Sequence, residues 1–215
     1  MERNIEDILD ELMLRYPELT ESKDDIAEAY RLIRHSYDNG GKLLIAGNGG
    51  SAADSEHIVG ELMKGFTKKR PVDSVLRNRL EKADPELGKK LADKLQGALP
   101  AIALTGHNAL TTAYANDVDG SLAFAQQLYG YAKPEDVFLG ITTSGNSGNV
   151  VAAALTAKAL GLKVIALTGG SGGRIKAIAD CAVTAPANET FRIQELHLPI
   201  YHALCRMLEE TYFTL

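Results

Sequence analysis

Cysteine is scarce: Cys181 and Cys205 are the only two in 215 residues, and neither belongs to a CxxC pair. That excludes a disulfide framework, and both cysteines, lying in apolar runs, are expected to be small core residues. Long apolar runs are missing too, since none approaches the ~20 residues that a membrane span requires. The opening MERNIEDILDEL is acidic and amphipathic, unlike a secretion signal. No long basic run occurs, and the formal charge is −5. The fragment KGFTKKR (64–70) is short and isolated, so a solvated face or a local anion contact is expected there, not a nucleic-acid surface. These absences point to a soluble, cytoplasmic protein with neither nucleic acid nor membrane as its partner.

What is present has a rhythm. KLLIAG (42–47), AIALTG (101–106), VFLGITT (137–143), VIALTG (164–169) and CAVTA (181–185) are apolar nearly throughout. Such runs read as parallel strands covered on both faces. The first four run into Gly/Ser/Asn/Thr loops followed by helical sequence, which implies an α/β fold with a doubly wound parallel sheet. Ligands in such folds bind beyond the carboxyl ends of the strands, where these polar loops lie.

Before the first strand, Ile5, Ile8, Leu9, Leu12 and Met13 form a helical stripe, and Pro17 ends that helix. A second helix, starting near Thr20 or Ser22 and stopping at Asn39-Gly40-Gly41, aligns Ile26, Ala29, Tyr30 and Ile33. Residues 1–40 thus form a helical pair whose stripes must dock on the main body or on another subunit. Residues 71–99 break the rhythm as a helical insertion. Its second helix is expected to have Asp84 as N-cap, Pro85 at the first position and Leu87, Leu91 and Leu95 on one stripe. A single domain over 1–215 accommodates both additions.

Two loops could hold a phosphate. Gly47-x-Gly49-x-x-Ala52 satisfies a dinucleotide fingerprint, but the acidic residue expected about 20 positions on is replaced by Thr67-Lys68-Lys69-Arg70. The loop GITTSGNS (140–147) has phosphate-loop spacing with Asn146 in place of the lysine. Without that cation a triphosphate is disfavoured. The hydroxyls of Thr142, Thr143, Ser144 and Ser147, with backbone N–H groups at a helix start, suffice for one phosphate. Ser51 stands at an equivalent junction. LTGGSGG (167–173) reads as a tight crossover.

His57 and Glu61 lie four apart, about 40° round a helix. FRIQELHLPIYHAL (191–204) puts Gln194, His197 and His202 on a C-terminal helix, with Pro199 expected to kink it. The four groups His57, Glu61, Gln194 and His202 could bind a transition metal such as zinc, or place an acid and a base about a carbon chain. Asp54, Glu56 and His35 are expected at the surface.

The motifs GNGGSAADSEH, TTSGNSGNV and RIQELHLPIYH, in this order, resemble the sugar isomerase (SIS) domain, and within it the phosphoheptose isomerases. The resemblance covers residues ~1–70 and ~100–215. It implies an SIS-type five-stranded parallel sheet and an aldose–ketose isomerase that converts sedoheptulose 7-phosphate into heptose 7-phosphate through a cis-enediol. Asn48, Gly49, Gly50, Ser51, Asn116 and Asp117 would then contact substrate, with Thr142, Thr143, Ser144 and Ser147 around its phosphate. His57, Glu61, Gln194 and His202 match zinc ligands, Gln194 serving the substrate as well, and Glu61 with His202 matches the acid–base pair. A homotetramer with sites between subunits is implied. The pattern departs at Gly65, where an arginine is usual, at Phe191, where an aspartate is frequent, and at the insertion. Those departures leave room for an isomerase of a different phosphosugar. A non-catalytic SIS protein that binds the replication initiator is the further alternative, although that branch lacks the glutamate and histidine kept here.

Overall fold

The apolar runs leave no polar face for water, and all five become strands of one sheet. The structure is a computed structural model and describes residues 5–213; expectations for residues 1–4 and 214–215 lie outside the described residues. The strands are β1 (Leu43–Gly47), β2 (Ala101–Ala103), β3 (Val137–Ile141), β4 (Lys163–Gly169) and β5 (Cys181–Ala185). All neighbours are parallel, in the order β2-β1-β3-β4-β5. β2 is shorter than expected, ending at Ala103.

The helices, in chain order, are α1 (Ile5–Arg15), α2 (Lys23–Asp38), α3 (Gly50–Met63), α4 (Ser74–Ala83), α5 (Leu87–Lys94), α6 (Asn108–Tyr114), α7 (Ala123–Tyr131), α8 (Gly148–Ala159), α9 (Gly173–Lys176) and α10 (Thr190–Tyr212). Strand alternation sorts them into two layers. Leu43, Ile45, Leu139 and Ile165 meet α1, α2, α3 and α10, whereas Leu44, Ala46, Phe138 and Val164 meet α7, α8 and α9. Both cysteines are buried and free.

The N-terminal stripes find their partner within the chain. Ile8, Leu9, Leu12, Ile26 and Ile33 are buried in the same core cluster as Leu204, Met207 and Leu208 of α10. Burying each such side chain contributes ~1.5–3 kcal/mol. Another subunit is therefore not needed to cover them. Ser22 precedes α2 without capping it and instead donates its hydroxyl to the Thr184 carbonyl at 2.8 Å.

The insertion forms two helices, α4 and α5, as expected, but its stripe is misassigned. Gly88 and Ala92 are the buried residues of α5, while Leu87 and Leu95 are exposed. A Cβ on Gly88 would stand 1.9 Å from the Leu80 carbonyl oxygen. The absence of a side chain is thus what lets α5 approach α4, and this close approach chooses the inward face over the leucine stripe. Asp84 does accept from the N–H groups of Glu86 and Leu87, at 3.0 and 2.8 Å, although the helix itself begins at Leu87.

The chain leaves β1 for β2 on one side and reaches β3 on the other. Gly47 pairs in register with Ile141, so the loops after β1 and β3 start level. The resulting crevice is the topological switch point where α/β folds take ligands.

Candidate active site

Two helix N-termini face that crevice: α3 begins at Gly50 and α8 at Gly148. Their unpaired N–H groups and dipoles favour an anion. Gly49 turns the chain into α3 with φ +56°, a conformation that L side chains resist. Ser51 is buried, and Gly50 lies beneath the Gln194 amide, whose Nε2 would sit 2.5 Å from an added Cβ. Across the crevice, Asn48 and Asn149 exchange two hydrogen bonds of 2.9 Å, amide to amide. Asn149 was not singled out from sequence, although it lies in the TTSGNSGNV motif.

The second loop is not an ordinary capping turn. Ser147 occupies the N-cap position of α8 but makes no capping hydrogen bond, and its hydroxyl pairs with Thr142 at 2.9 Å. Thr142 is buried, Thr143 half-buried and Ser144 exposed. The third loop buttresses the second as a tight crossover. Gly145 has φ +68°, and a Cβ there would stand 2.0 Å from the Gly172 carbonyl oxygen. The Ile175 N–H donates to the Gly145 carbonyl, and the Arg174 N–H to Asn146 Oδ1.

At the other end of α3 the candidate acid–base side chains gather. α3 and α10 run in parallel register: Gln194 meets Gly50, and seven residues on Tyr201 meets His57. His57 Nε2 lies 3.2 Å from Glu61 Oε1, and its Nδ1 lies 2.9 Å from the Tyr201 hydroxyl. The Tyr201 hydroxyl also donates to Asp54 Oδ1 at 3.3 Å. The His57 and His202 rings cross edge to face at 5.1 Å. Glu61 Oε2 and His202 Nε2 are buried without hydrogen-bond partners. Burial first, then the charges of His57 and Arg206, hold the His202 pKa below its usual range against the pull of Glu61. That shift favours the neutral imidazole, which can accept or pass on a proton.

Tyr201 was missed from sequence, because only the α3–α10 register reveals what it touches. Burial and the Asp54 carboxylate push its phenol upward, so it stays protonated. Asp54, expected at the surface, lies half-buried beside Tyr201 and His57, and burial raises its pKa. Glu56 and His35 are exposed, as expected. Of the two readings of KGFTKKR, the local anion contact describes its end: the Arg70 side chain is fully buried, ion-paired to Glu209, and Lys68 pairs with Glu210.

The remaining candidates divide. Asn116 donates to Asp117 at 2.8 Å in an exposed turn after α6, and among the described residues neither side chain bonds to another candidate. Pro199 is buried inside α10, which continues through it. For zinc, the donor chemistry of His57, Glu61, Gln194 and His202 is suitable: His202 Nε2 has no hydrogen-bond partner, and Glu61 Oε2 has only the Lys64 ammonium at 3.6 Å. His57 Nε2 points at Glu61, and among the described residues no three His, Cys, Asp or Glu side chains have already converged as a metal-ligating group.

The profile of the SIS domain family matches residues 9–84 and 85–169. A phosphoheptose isomerase of Geotalea daltonii is 39% identical over 87% of this chain and 84% of its own length. One from a Nitratiruptor species is 40% identical over 80% of this chain and 78% of its own. Among solved structures, the phosphoheptose isomerase GmhA of Neisseria gonorrhoeae aligns with a TM-score of 0.70 at 30% identity, covering 93% of this chain and 97% of that one. The chain belongs to the SIS-domain family and, within it, to the group of the phosphoheptose isomerases.

Proposed function

We propose that this protein is an aldose–ketose isomerase that converts sedoheptulose 7-phosphate into heptose 7-phosphate. The observation that carries the reading is that Glu61 and His202, far apart in sequence, both pack against His57 beside an anion-binding crevice. The substrate phosphate lies on the α3 and α8 N-termini with Ser51, Thr142, Thr143, Ser144 and Ser147. Asn48, Gly49, Gly50, Gln194, Asn116 and Asp117 bind the sugar.

Glu61 acts as base. His57 holds Oε1 by its Nε2–H, and Oε2, which faces the Lys64 ammonium at 3.6 Å, takes the proton from the carbon beside the carbonyl. His202 passes a proton between the two substrate oxygens. The resulting cis-enediol recovers the proton from Glu61 at the neighbouring carbon, giving the aldose. Such positioned groups are worth about 10² to 10⁴ in rate. Zinc, held by His57, Glu61, Gln194 and His202, would supply Lewis-acid support for the developing oxyanion.

A cytoplasmic homotetramer with sites between subunits completes the proposal. Its support is the exposed Leu110, Val118 and Leu122 around the Asn116–Asp117 turn, apolar surface that a second subunit would cover. The test is incubation with a panel of ketose phosphates, with and without chelator. Aldose formed from sedoheptulose 7-phosphate is expected. A folded protein that turns over none of them overturns the reading, and loss of rate with chelator decides for the metal.

A further inference from the structure

We infer that Arg70 is a positioning residue of the reaction: paired with Glu209, it fixes the Glu61-bearing end of α3 against α10, which carries His202. The inference rests on the reading of Glu61 as base. The last four carbonyls of a helix have no partner inside it. At α3 the chain leaves in extended conformation at Lys64, with no glycine turn to gather them. Arg70 gathers two instead. Its Nη1 donates to the Leu62 carbonyl at 2.7 Å and its Nη2 to that of Glu61 at 3.1 Å. A cation is also what the negative end of a helix dipole favours.

The third donor of the fork, Nε, reaches Glu209 Oε1 at 2.8 Å. Glu209 stands seven residues beyond His202, about 20° from it round α10. Its carboxylate also accepts from the N–H groups of Phe66 and Thr67 at 2.9 and 2.8 Å, so it shapes the segment between α3 and Arg70. The Phe213 ring covers the guanidinium at 4.4 Å. Both side chains of the pair are fully buried.

A buried ion pair is often no more stabilising than apolar residues of the same volume. What this one supplies is geometry. One rigid fork ties the base's own peptide group to the helix of its partner, and a lysine, with a single nitrogen, cannot make all three contacts. A misplacement near 1 Å can cost about 100-fold in rate.

The experiment compares Arg70→Lys, Arg70→Met and Glu209→Gln with wild type and with Glu61→Gln. It reads kcat and KM for ketose phosphate isomerisation, the isotope effect of substrate deuterated at the reacting carbon, inorganic phosphate binding and thermal unfolding. Arg70→Lys should unfold cooperatively and bind phosphate as wild type does. Its kcat should fall about 10- to 100-fold with KM little changed, and its isotope effect should rise as proton transfer becomes limiting. Arg70→Met should lose more than Arg70→Lys. A folded Arg70 variant with wild-type kcat overturns the inference. So does a kcat loss that only follows the unfolded fraction, or failure of all three variants to fold. Wild-type turnover in Glu61→Gln would sink the base assignment instead, whatever Arg70 does.

Discussion

The two ends of α3 solve different problems with different materials. At Gly50 the candidate groups are backbone N–H donors and small polar side chains at the crevice, several of them buried and shaped by positive-φ glycines. At Glu61 they are ionisable side chains, His57 exposed and Glu61 and His202 half-buried, tied to α10 by Tyr201 and by the Arg70–Glu209 pair. An anion can be held by dipoles that any residue's backbone supplies. Proton transfer needs particular atoms at particular distances, so its end of the helix depends on packing from far along the chain.

The sharpest way to break this contrast is Glu61→Gln. Turnover should fall by about 10² to 10⁴ while inorganic phosphate binding stays near wild type. Equal losses in both would mean that the two ends are not separable. Next is the seat of α10. His197, wholly buried, contacts the Thr168 carbonyl at 3.1 Å, and burial lowers its pKa to about 4. Between that value and its unfolded value near 6.5 the unfolded chain binds the extra proton, so stability falls as pH falls through this window. The loss should reach about 2–4 kcal/mol near pH 4, read from denaturant melts, and His197→Phe should remove that part of the slope. The Glu61 end should feel it first, through kcat.

Gly145→Ala probes the other end. A left-handed alanine costs ~1–2 kcal/mol, and the approach to Gly172 adds to that. Phosphate affinity should drop about tenfold, with the unfolding of α3 and α10 little affected. Unchanged affinity would remove the 142–147 loop from the anion site. The smallest effect is expected from Tyr201→Phe, which deletes the hydroxyl on His57. A loss of ~0.5–1.5 kcal/mol in stability should accompany a several-fold drop in kcat and no change in phosphate affinity.

Legibility in the sequence follows the same division. The five strands and the loops after them are readable because doubly covered strands are apolar at nearly every position, and their glycines sit where the backbone needs them. Ser51 and Ser147 accordingly stand at the strand–helix junctions after β1 and β3, with Thr142 beside Ser147. The α3–α10 contacts were readable only in part. His57 and Glu61 share a helix face, but Tyr201, Asp54 and Arg70 take their roles from a partner helix that periodicity does not locate. Arg70 reads as one more cation of KGFTKKR until Glu209 is brought to it by the fold. The insertion misled in the opposite sense. Leu87 and Leu95 make the better apolar stripe, yet the close approach at Gly88 turned them outward.

The amide pair of Asn48 and Asn149 spans the mouth of the crevice like a latch. Each side chain already has its donor and acceptor matched by the other. On the proposed reading, a sugar hydroxyl arriving there would swap one set of bonds for another and gain little in the exchange, since a protein hydrogen bond nets only ~1 kcal/mol. Such a latch would make the sugar easy to let go, which would suit an enzyme whose product has the same atoms and nearly the same shape as its substrate.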